Sequence, residues 1–168
     1  MTPRRLGLAV LVSGFLGAAL AAQERDAGET PEALKLKTRS AAPAGPDIDS
    51  AVTLQALLSR NEKGAFSEAK GATIEGWIVQ VEREEDGDYH LALAPSEKES
   101  DSKHWVIVEV TPPWQKKNAA LSGESLRKLH GKKVRVTGWL YYEPDPNSPD
   151  PRGTRWEIHP VTAIVPAS

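Results

Sequence analysis

Val134–Tyr142 (VRVTGWLYY) and Thr73–Val81 (TIEGWIVQV) share one pattern of residues. Each segment is rich in apolar and β-branched residues and carries a Gly-Trp pair near its centre. This composition is typical of β-strands, and a glycine inside a strand marks a bulge or a sharp bend. The two segments therefore predict two long, bent strands, and we expect the rest of the chain to complete a small barrel around them.

The segments around these two strands predict a helix, a hairpin and a second helix. Asp49 or Ser50 is expected to cap a short helix, in which Val52, Leu54, Leu57 and Leu58 fall on one face. Asp86–Gly87 predicts a hairpin turn, since glycine readily adopts a positive φ angle. A second helix is expected within Trp114–His130. The predicted strands are Ala72–Glu84, Tyr89–Ala94, Trp105–Val110, Lys132–Tyr142 and Thr154–Val165.

The order of these elements indicates the fold. A helix is followed by three strands, a helix and two strands, which is the order of the five-stranded Greek-key barrel called the OB-fold. Bent first and fourth strands suit this barrel, because each must serve two sides of it. A β-sandwich needs more strands than the sequence shows. The prediction is an all-β, five-stranded OB-fold-like Greek-key barrel with a short N-terminal helix and a helix between strands 3 and 4.

The N-terminal residues have the pattern of an export signal. Arg4 and Arg5 precede the apolar run Leu6–Leu20, and Ala19–Ala21 matches a small-x-small cleavage pattern. The apolar run is short for a bilayer span, and no second such run follows. We expect residues 1–21 to be a signal peptide, no transmembrane segment after cleavage, and export to the periplasm or the cell exterior. The alternative is a retained N-terminal anchor.

The next segment, residues 22–48, is polar and rich in small residues. It lacks the apolar content that offsets the entropy of ordering a chain, so it predicts a flexible tether. The barrel domain is then expected at residues 49–166.

Charge and cysteine content exclude several functions. The chain has no cysteine, so it has no disulfide, thiol nucleophile or thiolate metal site. Removing Arg4 and Arg5 from the 21 basic residues leaves 19 against 23 acidic residues, a net charge of −4 for the mature chain. Nucleic-acid binding is driven by neutralisation of phosphates, so the charge makes nucleic acid an unfavourable partner.

Several short motifs resemble those of the bacterial OB-fold family, small exported proteins often linked to stress tolerance. The motifs are a T-L-x-x-L helix from Thr53, I-E-G-W-I-V (Ile74–Val79), G-D-Y (Gly87–Tyr89), V-R-V-T-G (Val134–Gly138), W-E-I (Trp156–Ile158) and V-T-A-I (Val161–Ile164). The resemblance covers about Ala51–Val165, and three of the connecting segments are longer than in that family. It implies the fold and the compartment, and it implies no catalytic residues.

Aromatic residues provide the main candidate for a ligand surface. Alternation places Trp139 and Tyr141 on one strand face, and Trp77 is the matching residue of the first strand. OB-folds bind oligonucleotides and oligosaccharides on such a face, where an aromatic ring stacks on a base for roughly 1–3 kcal/mol or on a sugar. In the structural alternative, Trp77 and Trp139 pack over the barrel as a cover. The predicted ligand-binding residues are Trp77, His90, Arg135, Trp139, Tyr141, Arg155 and His159.

Carboxylates and histidines form two further patterns. Asp86, Asp88 and His90 recur at every second residue and would begin a metal site, or else form an ordinary acidic turn with an exposed histidine. The alternate residues of Arg155–His159 project from one face, where a Glu–His pair would serve as a proton shuttle or as a solvated outer face. Nucleophile and phosphate-loop motifs are absent from the sequence.

The sequence therefore predicts a non-enzymatic, exported OB-fold module that binds a saccharide or another small polar ligand, with no cofactor and no metal. The alternatives are a single-stranded nucleic-acid-binding OB-fold, a metal-assisted hydrolase and an envelope scaffold without a small ligand. The hydrolase would use Asp86, Asp88, His90 and His159.

Overall fold

Strands make up the framework of the structure, a computed structural model that describes residues 30–145 and 152–167. The strands are β1 (Gly71–Arg83), β2 (Tyr89–Ala94), β3 (Val106–Val110), β4 (Lys133–Tyr142) and β5 (Trp156–Pro166). The helices are α1 (Pro31–Lys37), α2 (Leu54–Ser59), α3 (Pro112–Lys117) and α4 (Gly123–Arg127). The predicted signal peptide, residues 1–21, lies outside the described residues, as do residues 22–29 of the predicted tether.

The strands close into a barrel in the order β1-β2-β3-β5-β4. Neighbouring strands are antiparallel except β3 and β5, which run parallel and share one registered pair, Val108 with Ile158. Three sequential strands followed by two that close the barrel is the OB-fold order. The predicted all-β, five-stranded Greek-key barrel is therefore confirmed.

Two glycines allow close approach between strands, and the predicted bulge falls at Gly138 in β4 but between Ile78 and Gln80 in β1. A Cβ atom on Gly76 would lie 2.8 Å from the carbonyl oxygen of Ala94. A Cβ atom on Gly138 would lie 2.9 Å from the Cα of Val161 and would also overlap the carbonyl oxygen of Pro160. The register of β4 against β5 shifts on both sides of Gly138. Only glycine fits at position 138, because the backbone of β5 passes too close to leave room for a Cβ atom.

The connection between β3 and β4 contains two short helices instead of the one expected within Trp114–His130. Helix α3 begins earlier, at Pro112, because proline has a φ angle suited to the first turn of a helix and needs no amide partner there. The side chains of Asn118 and Ser122 then accept hydrogen bonds from the backbone amides of Ala120 and Ser125. These caps divide the segment into separate turns.

The core lies inside the barrel and under α2. Alternate residues of each strand point inward, and Trp156 is the largest of the fully buried side chains. Its ring packs edge-on against Phe66 and Tyr142, with centroid distances of 5.3 and 5.2 Å. Its indole Nε1 donates a hydrogen bond of 3.2 Å to the carbonyl oxygen of Glu62. Aromatic packing around Trp156 therefore fills the barrel where β4 ends and β5 begins.

Residues 31–48, which we name the N-terminal strap, lie against the barrel. The sequence predicts a flexible tether there, whereas the structure shows α1, an irregular segment and a 3-10 helix at Gly45–Asp47. The indole Nε1 of Trp114 donates to the carbonyl oxygen of Arg39 at 2.9 Å, and Ile48 pairs with Gly71 of β1. These contacts are made by the backbone of the strap. The side chains of the strap therefore give no indication of them in the sequence.

Within the described residues, no helix has the length and apolar character to cross a membrane.

Candidate functional site

The two tryptophans of the predicted ligand surface lie at opposite ends of the β1–β4 ladder. Trp77 is opposite Lys133, and Trp139 is opposite Gly71. Gly71 and Trp77 are separated along β1 by roughly 20 Å of extended strand. The structure therefore does not bring the two indole rings together, because antiparallel pairing sends equivalent positions of two strands to opposite ends.

Trp139 is covered by the N-terminal strap. Its indole Nε1 donates to the carbonyl oxygen of Ala41 at 2.8 Å, and the guanidinium carbon of Arg39 lies 4.4 Å from its ring centroid. The side chain of Trp139 therefore packs between the barrel and the strap. This matches the alternative in which the tryptophan has a structural role and does not bind a ligand.

The two predicted arginines also make structural contacts. The guanidinium group of Arg135 donates two hydrogen bonds to Oε1 of Glu75, at 2.9 and 2.5 Å, in an exposed pair. The Nε of Arg155 donates to the carbonyl oxygen of Glu143 at 2.8 Å, and its guanidinium group stacks on the ring of Tyr142. Neither arginine lies with Trp77 or with the histidines in these contacts.

The remaining predicted residues meet in a different place, on the outer face of β2, β3 and β5. Asp88 lies at the end of the β1–β2 turn, which Gly87 makes with a φ angle of +96°, as predicted. His90 is opposite Glu109 in the β2–β3 ladder. We call this group the charged cluster, and its members are Asp88, His90, Glu109, Glu157 and His159.

Alternation along the strands explains why these polar side chains share a face. On β3, the two valines that flank Glu109 belong to the core, so the glutamate points outward. On β5, Ile158 points inward between Glu157 and His159. The outward face is nevertheless covered, because Glu109, Glu157 and His159 are only 5%, 0% and 2% exposed. The solvated outer face considered for Glu157 and His159 is therefore wrong.

The cluster is held together by close contacts between opposite charges. Oε2 of Glu109 lies 2.7 Å from Nδ1 of His159 and 3.3 Å from Nε2 of His90. Oε2 of Glu157 lies 3.8 Å from Nδ1 of His159. The guanidinium group of Arg152 contacts the other oxygen of Glu157, Oε1. One glutamate thus joins β2, β3 and β5, and one arginine anchors the second glutamate.

Tyr141 belongs to this region instead of to an aromatic surface. It is 2% exposed, and its ring packs edge-on against His159 at a centroid distance of 5.7 Å. The ammonium group of Lys37, on α1, lies 5.4 Å from the centroid of Tyr141. Strand β4 and the N-terminal strap therefore cover one side of the cluster.

Two atoms of the cluster are buried without a hydrogen-bond partner among the residues that the structure describes, namely Oε2 of Glu157 and Nδ1 of His159. The 2.7 Å contact of Nδ1 with Glu109 is close, but its angle does not make a hydrogen bond. An unsatisfied buried polar group costs about 1–3 kcal/mol. A bound ion or ligand that contacts such groups is one explanation for their presence in a folded protein.

Burial and neighbouring charges shift the pKa values of the cluster. Burial, and then the charge of Glu109, raises the pKa of Glu157 to about 7. Burial lowers the pKa of His159, but Glu109 and Glu157 outweigh burial and raise it to about 9. Burial alone would raise the pKa of Glu109, but His159 and His90 hold it well below its usual value. Burial, then Asp86, raises the pKa of Asp88 to about 6.

Three members of the cluster are arranged as metal ligands. Asp88, Glu109 and His159 each offer one ligand atom, and these atoms lie within 4.8 Å of one another. Carboxylate and imidazole groups are suitable ligands for divalent transition metals. Among the described residues, this is the group of three His, Asp or Glu side chains that meets this geometry.

The sequence identified part of this site. It paired Asp88 with His90 and Glu157 with His159, and it joined Asp88 and His90 with His159 in the hydrolase alternative, but it omitted Glu109. Asp86 is not part of the cluster contacts, because its carboxylate accepts the backbone N–H of Asp88 within the turn. A signal for Glu109 existed, since it is the one charge in the otherwise apolar strand VIVEV. A charged residue there must find a partner.

Comparisons with known proteins give similar structures but no matching family. No protein-family model matches the sequence, and no curated protein matches it significantly. The structure is similar to asparaginyl-tRNA synthetase from Entamoeba histolytica, with 15% identity and a TM-score of 0.42 over 66% of this chain. It is also similar to aspartyl-tRNA synthetase from Entamoeba histolytica, with 15% identity and a TM-score of 0.37 over 76% of this chain. The chain spans 23% and 28% of these two proteins, and at such TM-scores the likeness says nothing about activity.

Proposed function

We propose that this protein is an exported, non-enzymatic OB-fold module that binds a small polar ligand, such as a saccharide, at the charged cluster. The observation that supports this proposal is the pair of buried, unsatisfied atoms, Oε2 of Glu157 and Nδ1 of His159. They lie on the outer face of β2, β3 and β5. OB-folds bind ligands on the strand 2–3 face, between the loop after strand 1 and the loop before strand 5.

One of those loops supplies a member of the cluster, and the other supplies a residue that contacts the cluster. The loop between β1 and β2 supplies Asp88, and the loop before β5 supplies Arg152. Asp88 and His90 are half-buried, so they form the edge through which a ligand reaches the buried members. The cluster contains both acceptors and donors, and hydroxyl groups can serve as either. A ligand with several hydroxyl groups therefore matches the donors and acceptors of the cluster.

Replacing His90 with alanine is expected to weaken binding of the ligand about tenfold, because it removes one hydrogen-bonding group from the accessible edge. Isothermal titration calorimetry with maltohexaose, cellohexaose and chitohexaose would measure this effect. His104→Ala is the matched control, since His104 also contacts a glutamate, Glu99, at 3.0 Å but on an exposed loop. Absence of heat with all three saccharides, or equal effects of the two substitutions, would contradict the proposed ligand class.

Single-stranded nucleic acid is the second candidate, and the strand order favours it because OB-folds also bind oligonucleotides on this face. The three carboxylates of the cluster oppose it, since they repel phosphate. An oligothymidylate of about twelve nucleotides, titrated at increasing salt, separates the two candidates. Binding that weakens linearly in log–log form with salt would support nucleic acid over saccharide.

Export is supported by the pattern of residues 1–21. Full-length expression in a bacterial host is expected to give a periplasmic or secreted protein whose intact mass lacks about 21 N-terminal residues. A protein of unprocessed mass in the cytoplasmic or membrane fraction would show that the signal is not cleaved.

A further inference from the structure

We propose that the charged cluster is a binding site for one divalent transition-metal ion, with zinc as the reference ion, and that its protein ligands are Asp88, Glu109 and His159. This inference adds an ion to the ligand site of the proposed function. It rests on the proposed function only in placing that site at the charged cluster. The arrangement of the three ligand atoms and the unsatisfied buried atoms beside them are two separate observations that support it.

The spacing of the three ligand atoms is close to what a metal ion needs. Zinc bonds to carboxylate oxygen and imidazole nitrogen are about 2.0–2.2 Å long, so neighbouring ligand atoms of a tetrahedral site are separated by about 3.3–3.6 Å. The three atoms here lie within 4.8 Å of one another, and two of them, Oε2 of Glu109 and Nδ1 of His159, are already 2.7 Å apart. Binding would require Glu109 and His159 to separate by about 0.6–0.9 Å and Asp88 to move towards them.

The contact between Glu109 and His159 already brings a carboxylate and an imidazole to one point beside Asp88. Nδ1 of His159 is buried and makes no hydrogen bond of good geometry, although Oε2 of Glu109 is 2.7 Å away. In the metal-free chain this contact is an ion pair, and a metal ion would displace the imidazolium proton and hold the two atoms about 3.3–3.6 Å apart. Oε2 of Glu157, also buried and unsatisfied, is 3.8 Å from the same nitrogen.

The surrounding residues match the partners that hold metal ligands in place. Nε2 of His90 lies 3.3 Å from Oε2 of Glu109, and the guanidinium group of Arg152 holds Glu157 by its Oε1. Such outer contacts orient the ligands and adjust their affinity. One imidazole and two carboxylates favour zinc, manganese, cobalt or iron over calcium and magnesium, which prefer oxygen alone. Three protein ligands leave a further position, where a water or a polar group of a ligand can bind.

The test uses the full chain as purified, stripped with EDTA and dialysed, and then titrated with ZnCl₂, MnCl₂ and CoCl₂ by isothermal titration calorimetry. We expect one ion per chain, bound at micromolar concentration or more tightly, and an absorbance band of bound Co²⁺ in the visible range. Glu109→Gln is expected to weaken the binding of Zn²⁺ by at least about tenfold. Because Glu109 is buried and its variant can be unstable, Asp88→Asn, at the half-buried edge, is measured in parallel.

Glu99→Gln is the matched control, since Glu99 contacts His104 at 3.0 Å but lies outside the cluster, and it should bind Zn²⁺ as the unmodified chain does. Absence of binding of all three ions, or equal affinity of Asp88→Asn and Glu99→Gln, would overturn the metal site. Saccharide binding that persists in EDTA would leave the proposed function standing without a metal. Metal binding without binding of any saccharide would support the site and contradict the proposed ligand class.

Discussion

Replacing Gly138 with alanine is expected to lower the free energy of unfolding by about 3 kcal/mol. The added methyl group would meet the carbonyl oxygen of Pro160, the Cγ2 atom of Ile158 at 2.5 Å and the Cα of Val161 at 2.9 Å. Two of these three atoms belong to the backbone of β5, so no change of rotamer relieves the overlap. The strands must separate at the point where the register of β4 against β5 shifts.

Gly45→Ala is the control for this prediction. A Cβ atom at Gly45 would have no neighbour within 4 Å. Alanine there overlaps no packed neighbour, and its one restriction is the following Pro46, so the free energy of unfolding should change by at most about 1 kcal/mol. Urea unfolding followed by tryptophan fluorescence measures both variants. Equal stability of Gly138→Ala and Gly45→Ala would show that β4 and β5 do not approach each other as closely as described.

Replacing Arg152 with methionine is expected to cost about 3–5 kcal/mol of stability at pH 8. Arg152 and Glu157 form a buried pair, with side chains only 9% and 0% exposed. Without the arginine, the nearest remaining cation to an ionised, buried Glu157 is His159, which lies 3.8 Å away and already pairs with Glu109. Arg135→Met is the matched control, because Arg135 and Glu75 form an exposed pair with side chains 52% and 41% accessible. Its loss is expected to cost at most about 1 kcal/mol.

The cost of Arg152→Met should be smaller at pH 5 than at pH 8. The pKa of Glu157 is raised to about 7 in the folded protein, mainly by burial and by Glu109. The stability that a raised carboxyl pKa contributes is fully present below the unfolded value of about 4.5 and is lost as the pH rises through 7. At pH 5 the side chain is therefore mostly protonated in the folded state, and it needs no cation. Urea unfolding at both pH values, with EDTA present, gives this difference.

A double variant separates charge from packing. Arg152→Met combined with Glu157→Leu removes both charges, so it should recover most of the stability that Arg152→Met loses at pH 8. If the double variant is as unstable as the single one at both pH values, the loss comes from packing of the loop before β5, and the buried charge does not account for it.

The fold was accessible from the sequence because its signals are local. The Gly-Trp segments contain both the β-branched residues that form long strands and the glycines that bend them. Gly87 marks the first hairpin by its positive φ angle. Each of these features depends on a few adjacent residues, and the order of elements then selects the barrel. The N-terminal strap has no such signal, because the indole groups of Trp114 and Trp139 bind its backbone carbonyl groups from far along the chain.

The candidate site was accessible only in part because its contacts join strands that are distant in sequence. Alternation correctly paired Glu157 with His159 on one face of β5. Their meeting with Glu109 depends on β3 and β5 lying side by side at barrel closure, which no local pattern shows. The aromatic surface failed for a related reason: similar segments of β1 and β4 run in opposite directions, so their tryptophans separate.

The closing pair of strands has a consequence for how this barrel opens. Strands β3 and β5 share one registered pair, Val108 with Ile158, so few backbone hydrogen bonds hold this edge. The contact between Glu109 and His159 crosses the same edge, and parting it would separate opposite charges in a medium of low polarity. The residues that would bind a ligand thus also hold β3 and β5 together. Ligand binding at the charged cluster should therefore slow the separation of these two strands, and a mutation in the cluster should change both the ligand affinity and the rate of strand separation.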